Sequence, residues 1–151
     1  MKVLQQRPFV IVTITAMLLL SGLVMSGETH AQRFVDNGDG TVTDTLTSLM
    51  WTKHANPFGP ISWSEAMSMC SSFNISGVGG WRLPSKDELL FLYQAMQGGH
   101  PFTGIHPSNY WSSTISPDKL DGPWFVSMQS GSVDMDIKSN SHLVWPVRAS
   151  Q

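Results

Sequence analysis

The sequence predicts an α+β domain in which two helices pack on short antiparallel strands, and three patterns support that fold class. Ser62–Glu65 and Ser85–Glu88 are helix-start signatures in which serine and glutamate each satisfy a backbone N–H of the other. Asn37–Gly40 contains Asn-Gly and Asp-Gly pairs, which are typical of hairpin turns. Residues 133–138 alternate apolar and charged side chains, as a half-buried strand does. Strands followed by helices and then by more strands indicate the α+β class.

The first three predicted strands are short. Arg33–Val35 and Thr41–Thr43 flank the turn at residues 36–40, and Leu49–Trp51 continues as an apolar strand. A proline-rich loop over residues 56–60 separates these strands from the first helix.

Each predicted helix has one apolar face. The first begins after Ser62, and its apolar side chains recur at the spacing of one buried helical face: Trp63, Ala66, Met67, Cys70 and Phe73. The second runs from Lys86 to about Gln97, before two glycines, with this inner face: Leu89, Leu92, Tyr93 and Met96.

The remaining strands follow a loop at residues 98–109. Tyr110–Thr114 and Trp124–Met128 are predicted strands, and a turn then leads into the alternating strand of 133–138, where Asp134 and Asp136 share the outer face. The last predicted strand, His142–Arg148, contains Pro146. Because proline lacks a backbone N–H, it indicates a sheet edge or a strand end.

Residues 1–31 are predicted to be a cleaved secretory signal peptide, which leaves residues 32–151 as one domain. Lys2 and Arg7 precede an apolar run from Pro8 to Met25, and small residues stand at the two positions that a signal peptidase reads. An uncleaved membrane anchor is the alternative, because the run is just long enough to span a bilayer. Cleavage is favoured, so we expect an exported protein, in the periplasm or outside the cell, with no membrane span after cleavage.

The composition of residues 32–151 limits the partners. Seven Lys and Arg against ten Asp and Glu give a net charge of −3, and no basic stripe is present to bind nucleic acid. Cys70 is the only cysteine, so an intramolecular disulfide is impossible. It is either a buried apolar residue or a free thiol, and its place on the apolar helix face favours burial.

No residue pattern predicts a catalytic site, a metal site or a cofactor. The Asp36–Gly40 turn resembles a calcium loop, yet Gly38 and Gly40 stand where oxygen ligands are needed, and Thr47 stands where a bidentate acid is needed. The histidines lack metal-ligand spacing, and no Gly-x-Ser-x-Gly motif occurs. Asp134 and Asp136 could hold a cation or a sugar hydroxyl, but the solvated face of a strand explains them better.

Several ordered blocks resemble the Lcl C-terminal domain family over residues 33–148. These blocks are Arg33–Asp44, Leu49–Trp51, Trp63–Ala66, Gly80–Ser85, Tyr110–Thr114, Lys138–Ser141 and Val147–Arg148. The resemblance implies a fold similar to C-type lectin domains and formylglycine-generating enzymes, found mostly in bacterial envelope or secreted proteins. It implies no known reaction.

The chain departs from the family pattern at two positions. Members commonly carry a cysteine two residues before the final arginine, where Pro146 stands here, so the resemblance implies that a usual cross-link is missing and that Cys70 is unpaired. Ser48 also replaces a common glycine. Enzymes of the formylglycine-generating type use a cysteine pair, which this chain lacks, and the calcium-binding triplets of C-type lectins are absent from its sequence. We therefore expect that it is not an enzyme.

The resemblance places Trp51, Trp63, Trp81 and Trp111 in recurring blocks that should form the core. Trp124 and Trp145 are also expected to pack in the core, although an aromatic ring near the loop from Ile115 to Pro123 could stack on a sugar. The candidate ligand-binding residues are Asp118, Lys119, Asp121 and Trp124. The expected function is binding or adhesion, to a glycan or another envelope protein. The alternative is a structural or self-assembly module of the envelope, for which a homo-oligomer is left open.

Overall fold

The computed structural model describes residues 32–117 and 122–150. Its elements, in chain order, are β1 (Phe34–Asp36), β2 (Thr41–Asp44), β3 (Leu49–Thr52), α1 (Trp63–Ser72), α2 (Lys86–Ala95), β4 (Asn109–Ile115), β5 (Pro123–Ser127), β6 (Val133–Met135) and β7 (Val147–Ala149). The strands form two sheets, one in the order β1-β2-β3-β7 and one in the order β4-β5-β6. All of these pairs are antiparallel, so the predicted α+β class is confirmed.

The predicted signal peptide, residues 1–31, lies outside the described residues. Within the described part of the chain, no helix is both long enough and apolar enough to cross a membrane. Cleavage and export therefore stay predictions.

The β1–β2 turn confirms the hairpin prediction. Gly38 and Gly40 adopt positive φ angles of 78° and 89°, which glycine tolerates without steric cost. The Asp36 carboxylate accepts a hydrogen bond from the Gly38 N–H at 3.1 Å, and that of Asp39 accepts one from the Thr41 N–H at 3.0 Å. Both carboxylates therefore stabilise the turn.

Both helices begin at the predicted capping boxes. The Ser62 and Ser85 hydroxyls accept from the backbone N–H three residues later, and the glutamates at those positions bind back to the serine N–H. In α1 only Ala66 and Cys70 are buried, whereas Met67 is 40% exposed, so its predicted burial is wrong. One residue rotates a helix by 100°, and the helix meets the core only along the Ala66–Cys70 line. In α2, Leu89 and Leu92 are buried, and a 3₁₀ turn at Met96–Gly98 ends the helix.

The core is built around tryptophan. Trp51 and Trp145 meet edge to face, 6.0 Å apart, in the larger cluster, while Trp111 packs beneath α1 with Cys70 in a smaller one. Predicted burial is confirmed for these four tryptophans: Trp51, Trp81, Trp111 and Trp145. Trp63 is only half-buried, because it lies at the rim of the smaller cluster.

The last two predicted strands are shorter than expected. The alternating strand ends at Met135, and Ile137 is 61% exposed, so its predicted place on a buried strand face is wrong. The Asp136 carboxylate accepts from the Ile137 N–H and from the Asn140 side chain, and this turns the chain out of the sheet. Pro146 immediately precedes β7, the last strand of its sheet, as predicted for a strand end.

Candidate functional site

Of the four candidate residues, only Trp124 lies in the described part of the chain. Asp118, Lys119 and Asp121 lie outside the described residues. Trp124 belongs to β5 and is half-buried, near the end of the strand that adjoins the loop. Trp124, its two neighbours Lys86 and Met135, and the residues that line a depression beside the same strand end form what we call the Trp124 surface: Trp124, Lys86, Gly122, Met135, Asp136 and Ile137.

Two contacts position the Trp124 backbone. Its neighbour across the sheet is Met135 of β6, and its carbonyl accepts a hydrogen bond from the Ser112 hydroxyl of β4 at 2.8 Å. Paired residues on neighbouring strands project from the same face. Trp124 and Met135 therefore share the sheet face that also carries Val126 and Val133, both of which pack into the larger core cluster.

Lys86 covers part of the Trp124 ring. It is the first residue of α2, and its ammonium nitrogen lies 5.0 Å from the ring centroid, which is within cation–π range. Its backbone N–H donates to the Thr114 hydroxyl of β4 at 3.0 Å, which fixes the start of α2 against the sheet. The Lys86 side chain is partly exposed, and among the described residues its one carboxylate partner is Asp87, 3.9 Å away. The ammonium therefore stands where it can meet a ligand.

A shallow depression of about 160 Å³ lies beside this strand end, lined by Gly122, Met135, Asp136 and Ile137. Pockets for drug-sized ligands run from about 300 to 1,000 Å³. The depression is therefore sized for one small group, such as a single sugar ring or one side chain of a protein partner.

Asp136 and His142 form a polar pair next to this depression. Nε2 of His142 lies 2.8 Å from Oδ2 of Asp136, and the imidazole packs against Trp111 and Phe125. Burial alone would raise the pKa of the Asp136 carboxyl, but bonds from the Ile137 N–H, Asn140 and His142 outweigh it and lower the pKa. The imidazole therefore links the Asp136 carboxylate to these two aromatic rings.

Two larger clefts lie at the other end of α2, about 14 Å from Lys86 by the rise of a helix. One, of about 600 Å³, is lined by Arg33, Phe34 and His100 among others. The other, of about 360 Å³, is lined by Arg33 and Phe91 among others. The Arg33 guanidinium in both is already held by Asp44, through bonds of 2.9 and 3.0 Å.

The sequence indicated Trp124 through its position near a loop, but it did not indicate Lys86 or the Asp136–His142 pair. Lys86 could be placed at a helix start, yet nothing local to it shows where that helix docks. Across the described ranges, no group of three or more His, Cys, Asp and Glu side chains is close enough together to hold a metal ion.

Residues 40–148 match the family model described as the Lcl C-terminal domain. No curated protein matches the chain.

Proposed function

Because this chain belongs to the Lcl C-terminal domain family, we propose that it is an exported bacterial domain of binding or adhesion, without enzymatic activity. Its ligand is a glycan or another envelope protein, held at the Trp124 surface. The C-type lectin-like arrangement, in which loops at one end of the domain carry the binding site, is part of the same proposal.

The incomplete burial of Trp124 is the observation that carries the proposal. Four of the six tryptophans are buried, and the Trp63 indole N–H donates to the Ser112 carbonyl at 2.8 Å. Within the described residues, the Trp124 indole N–H has no acceptor. An aromatic ring with an apolar surface and an N–H donor at its edge suits a sugar ring, which offers C–H groups on its faces and hydroxyls at its edge.

Lys86 adds a second donor to the same surface. A cation over an indole is worth about 0.5–1 kcal/mol where it is exposed, which is little enough for the ammonium to turn toward a ligand oxygen. The ammonium is on α2 and the ring on β5, and both elements are bonded to β4, α2 through the Thr114 hydroxyl and β5 through the Ser112 hydroxyl. The pair is therefore preorganised before a ligand arrives.

The non-enzymatic part of the proposal rests on the sequence. A single cysteine cannot supply the pair used by enzymes of the formylglycine-generating type. The Asp136 carboxylate is already bound by three groups of the chain, the Ile137 N–H, the Asn140 side chain and the His142 imidazole.

Glycan-array and envelope-extract binding with the exported protein test the proposal, and Trp124→Ala is the key variant. We expect it to bind the ligand found in the screen at least about tenfold more weakly, a change of about 1.4 kcal/mol. Phe91→Ala is the matched control, because it also removes an aromatic ring that solvent reaches, 57% exposed in this case, but one that lines a cleft away from Trp124. Unchanged affinity in a folded Trp124→Ala protein would refute the site.

The alternative, a structural or self-assembly module, has its own supporting observation. Leu46 is 74% exposed and Phe91 57% exposed, and Phe91 lines a cleft together with Thr47. Exposed apolar side chains beside a cleft are typical of association surfaces. Under this alternative Phe91→Ala dissociates an oligomer in analytical ultracentrifugation while Trp124→Ala does not, so the same two variants separate the hypotheses.

A further inference from the structure

Strand β6 forms an open edge of its sheet. In the described part of the chain it pairs with β5 and with no second strand. The unpaired N–H and C=O groups of such an edge are a template on which another strand can add.

Two of the other three edge strands in the described sheets, β4 and β7, are covered by backbone on their outer sides. The outer side of β4 is bonded to Leu143 and Pro84, through the Trp111 N–H at 2.9 Å and the Ser113 N–H at 2.7 Å. The outer side of β7 exchanges two bonds with Arg82, at 2.9 and 3.0 Å. No comparable segment of the described residues covers β6.

The register shows which groups of β6 face outward. The Ser127 N–H donates to the Ser132 carbonyl at 2.9 Å, and the Asp136 N–H donates to the Pro123 carbonyl at 3.2 Å. Backbone groups of alternate residues point to opposite sides of a strand. Residues 132, 134 and 136 therefore face β5, and the N–H groups of Val133, Met135 and Ile137 face away from it.

Carboxylates of the chain itself occupy two of these three outward donors. Asp134 Oδ1 accepts from the Met135 N–H at 2.8 Å, and Asp136 Oδ1 accepts from the Ile137 N–H at 2.8 Å. The Ile137 carbonyl is also taken, by the Asn140 N–H at 3.1 Å. We propose that Asp134 and Asp136 block the β6 edge against strand addition, and that without the Asp134 carboxylate two copies of this chain pair through it.

The partner that we propose for the unblocked β6 edge is the same edge of a second copy of this chain. Two identical β6 edges can pair antiparallel about a twofold axis, so that the donors of each meet the carbonyls of the other. In the native chain such pairing has to break the Asp134–Met135 bond and bring two exposed Asp134 carboxylates together. Both effects oppose association.

Asp134 is the residue to test, because the described residues show no other bond of its carboxylate, whereas Asp136 also holds Asn140 and His142. Sedimentation velocity of the exported protein over a range of concentrations should show dimers of Asp134→Ala at concentrations at least about tenfold lower than for the native chain. Asp87→Ala removes an equal charge from α2, outside the sheet, and should sediment as the native chain does. Association of Asp134→Ala no stronger than that of Asp87→Ala would overturn the proposal.

Two further variants test whether the Asp134–Met135 hydrogen bond prevents association and whether the dimer forms through β6. Asp134→Asn keeps an oxygen that can accept from the Met135 N–H, so it should self-associate less than Asp134→Ala. If the two variants associate equally strongly, the hydrogen bond does not have the role proposed for it. Adding Met135→Pro to Asp134→Ala removes a backbone N–H that faces outward and leaves the bonds to β5 in place. Proline is tolerated at such a position of an edge strand. We expect the dimer to be lost while the near-ultraviolet circular dichroism stays native, and a dimer that persists would overturn the assignment to this edge.

Discussion

The Asp136 carboxylate and the His142 imidazole, 2.8 Å apart, tie the end of β6 to the segment that leads into the core. The same carboxylate accepts from the Ile137 N–H at 2.8 Å and from the Asn140 side chain at 2.7 Å. His142 in turn lies with its ring centroid 4.2 Å from that of Trp111. One side chain thus fixes both the exit of a strand and the position of an aromatic contact.

We expect Asp136→Ala to lower the free energy of unfolding by about 1 to 2 kcal/mol, because three donors lose one shared acceptor at a partly exposed position. Urea denaturation followed by tryptophan fluorescence measures the loss. Asp87→Ala, whose carboxylate is largely exposed, is the control and should change the stability by less than about 0.5 kcal/mol. Equal stabilities of the two variants would contradict the role given to Asp136.

The Arg33–Asp44 pair should make the free energy of unfolding depend on pH in the acidic range. Burial opposes ionisation of Asp44, but bonds from Arg33, Thr47 and the Leu46 N–H outweigh it, so the pKa of the carboxyl lies below its ordinary value. A lowered pKa in the folded state adds stability above the unfolded pKa of about 3.9, and this is lost as pH falls through the folded value. We therefore expect stability to drop below about pH 4.

Arg33→Gln isolates this contribution. The Asp44 side chain is only 3% exposed, so removing its cation leaves a buried charge and should cost about 3 kcal/mol at pH 7. The difference from the native protein should shrink as the pH falls from 7 to 3, because an Asp44 carboxyl without its cation is protonated more readily, and the neutral form does not need the guanidinium. Urea denaturation at both pH values checks this. Lys53→Gln, which breaks the exposed pair with Asp36, should have little effect at either pH. A stability difference between Arg33→Gln and the native protein that stays constant with pH would contradict the role given to the Arg33–Asp44 pair.

Two buried tryptophans should respond differently to the loss of their indole N–H. Nε1 of Trp145 donates to the Thr52 carbonyl at 2.9 Å, whereas Nε1 of Trp51 is buried without an acceptor among the described residues. Both replacements by phenylalanine leave similar space, but only Trp145→Phe also orphans a buried carbonyl. We expect it to cost about 1 kcal/mol more than Trp51→Phe, measured by urea denaturation. The reverse order would show that cavity terms dominate.

Features that depend on a few consecutive residues were predictable from the sequence. The two capping boxes place the helix starts at Trp63 and Lys86, because serine and glutamate three residues apart satisfy each other's backbone wherever the helix lies. The turn at Gly38 and Gly40 is equally local. Met67 was misplaced because periodicity gives the direction of an apolar stripe but not how widely the neighbouring core covers it.

The candidate site was predictable only in part, because it joins distant segments. Trp124 could be singled out by its place next to a loop, whereas Lys86 reaches the ring from another element, and the contact depends on how α2 docks on β4. Alternation placed Asp136 on a solvated strand face. The structure instead places it where the strand ends, since its bond to His142 depends on the fold of the following segment.

Cys70 should be chemically inert in the native protein. Its side chain is fully buried beside Ala66 and Trp111, and burial raises the pKa of the thiol to about 12. The thiolate is the reactive form, so both access and ionisation are suppressed at neutral pH. We expect a thiol reagent at pH 8 to label Cys70 slowly in buffer and rapidly in urea, with Cys70→Ala as the blank. Fast labelling of the folded protein would show that α1 opens readily, which would conflict with its two anchoring contacts, the Ser62–Glu65 cap and the Trp63 indole bond to Ser112.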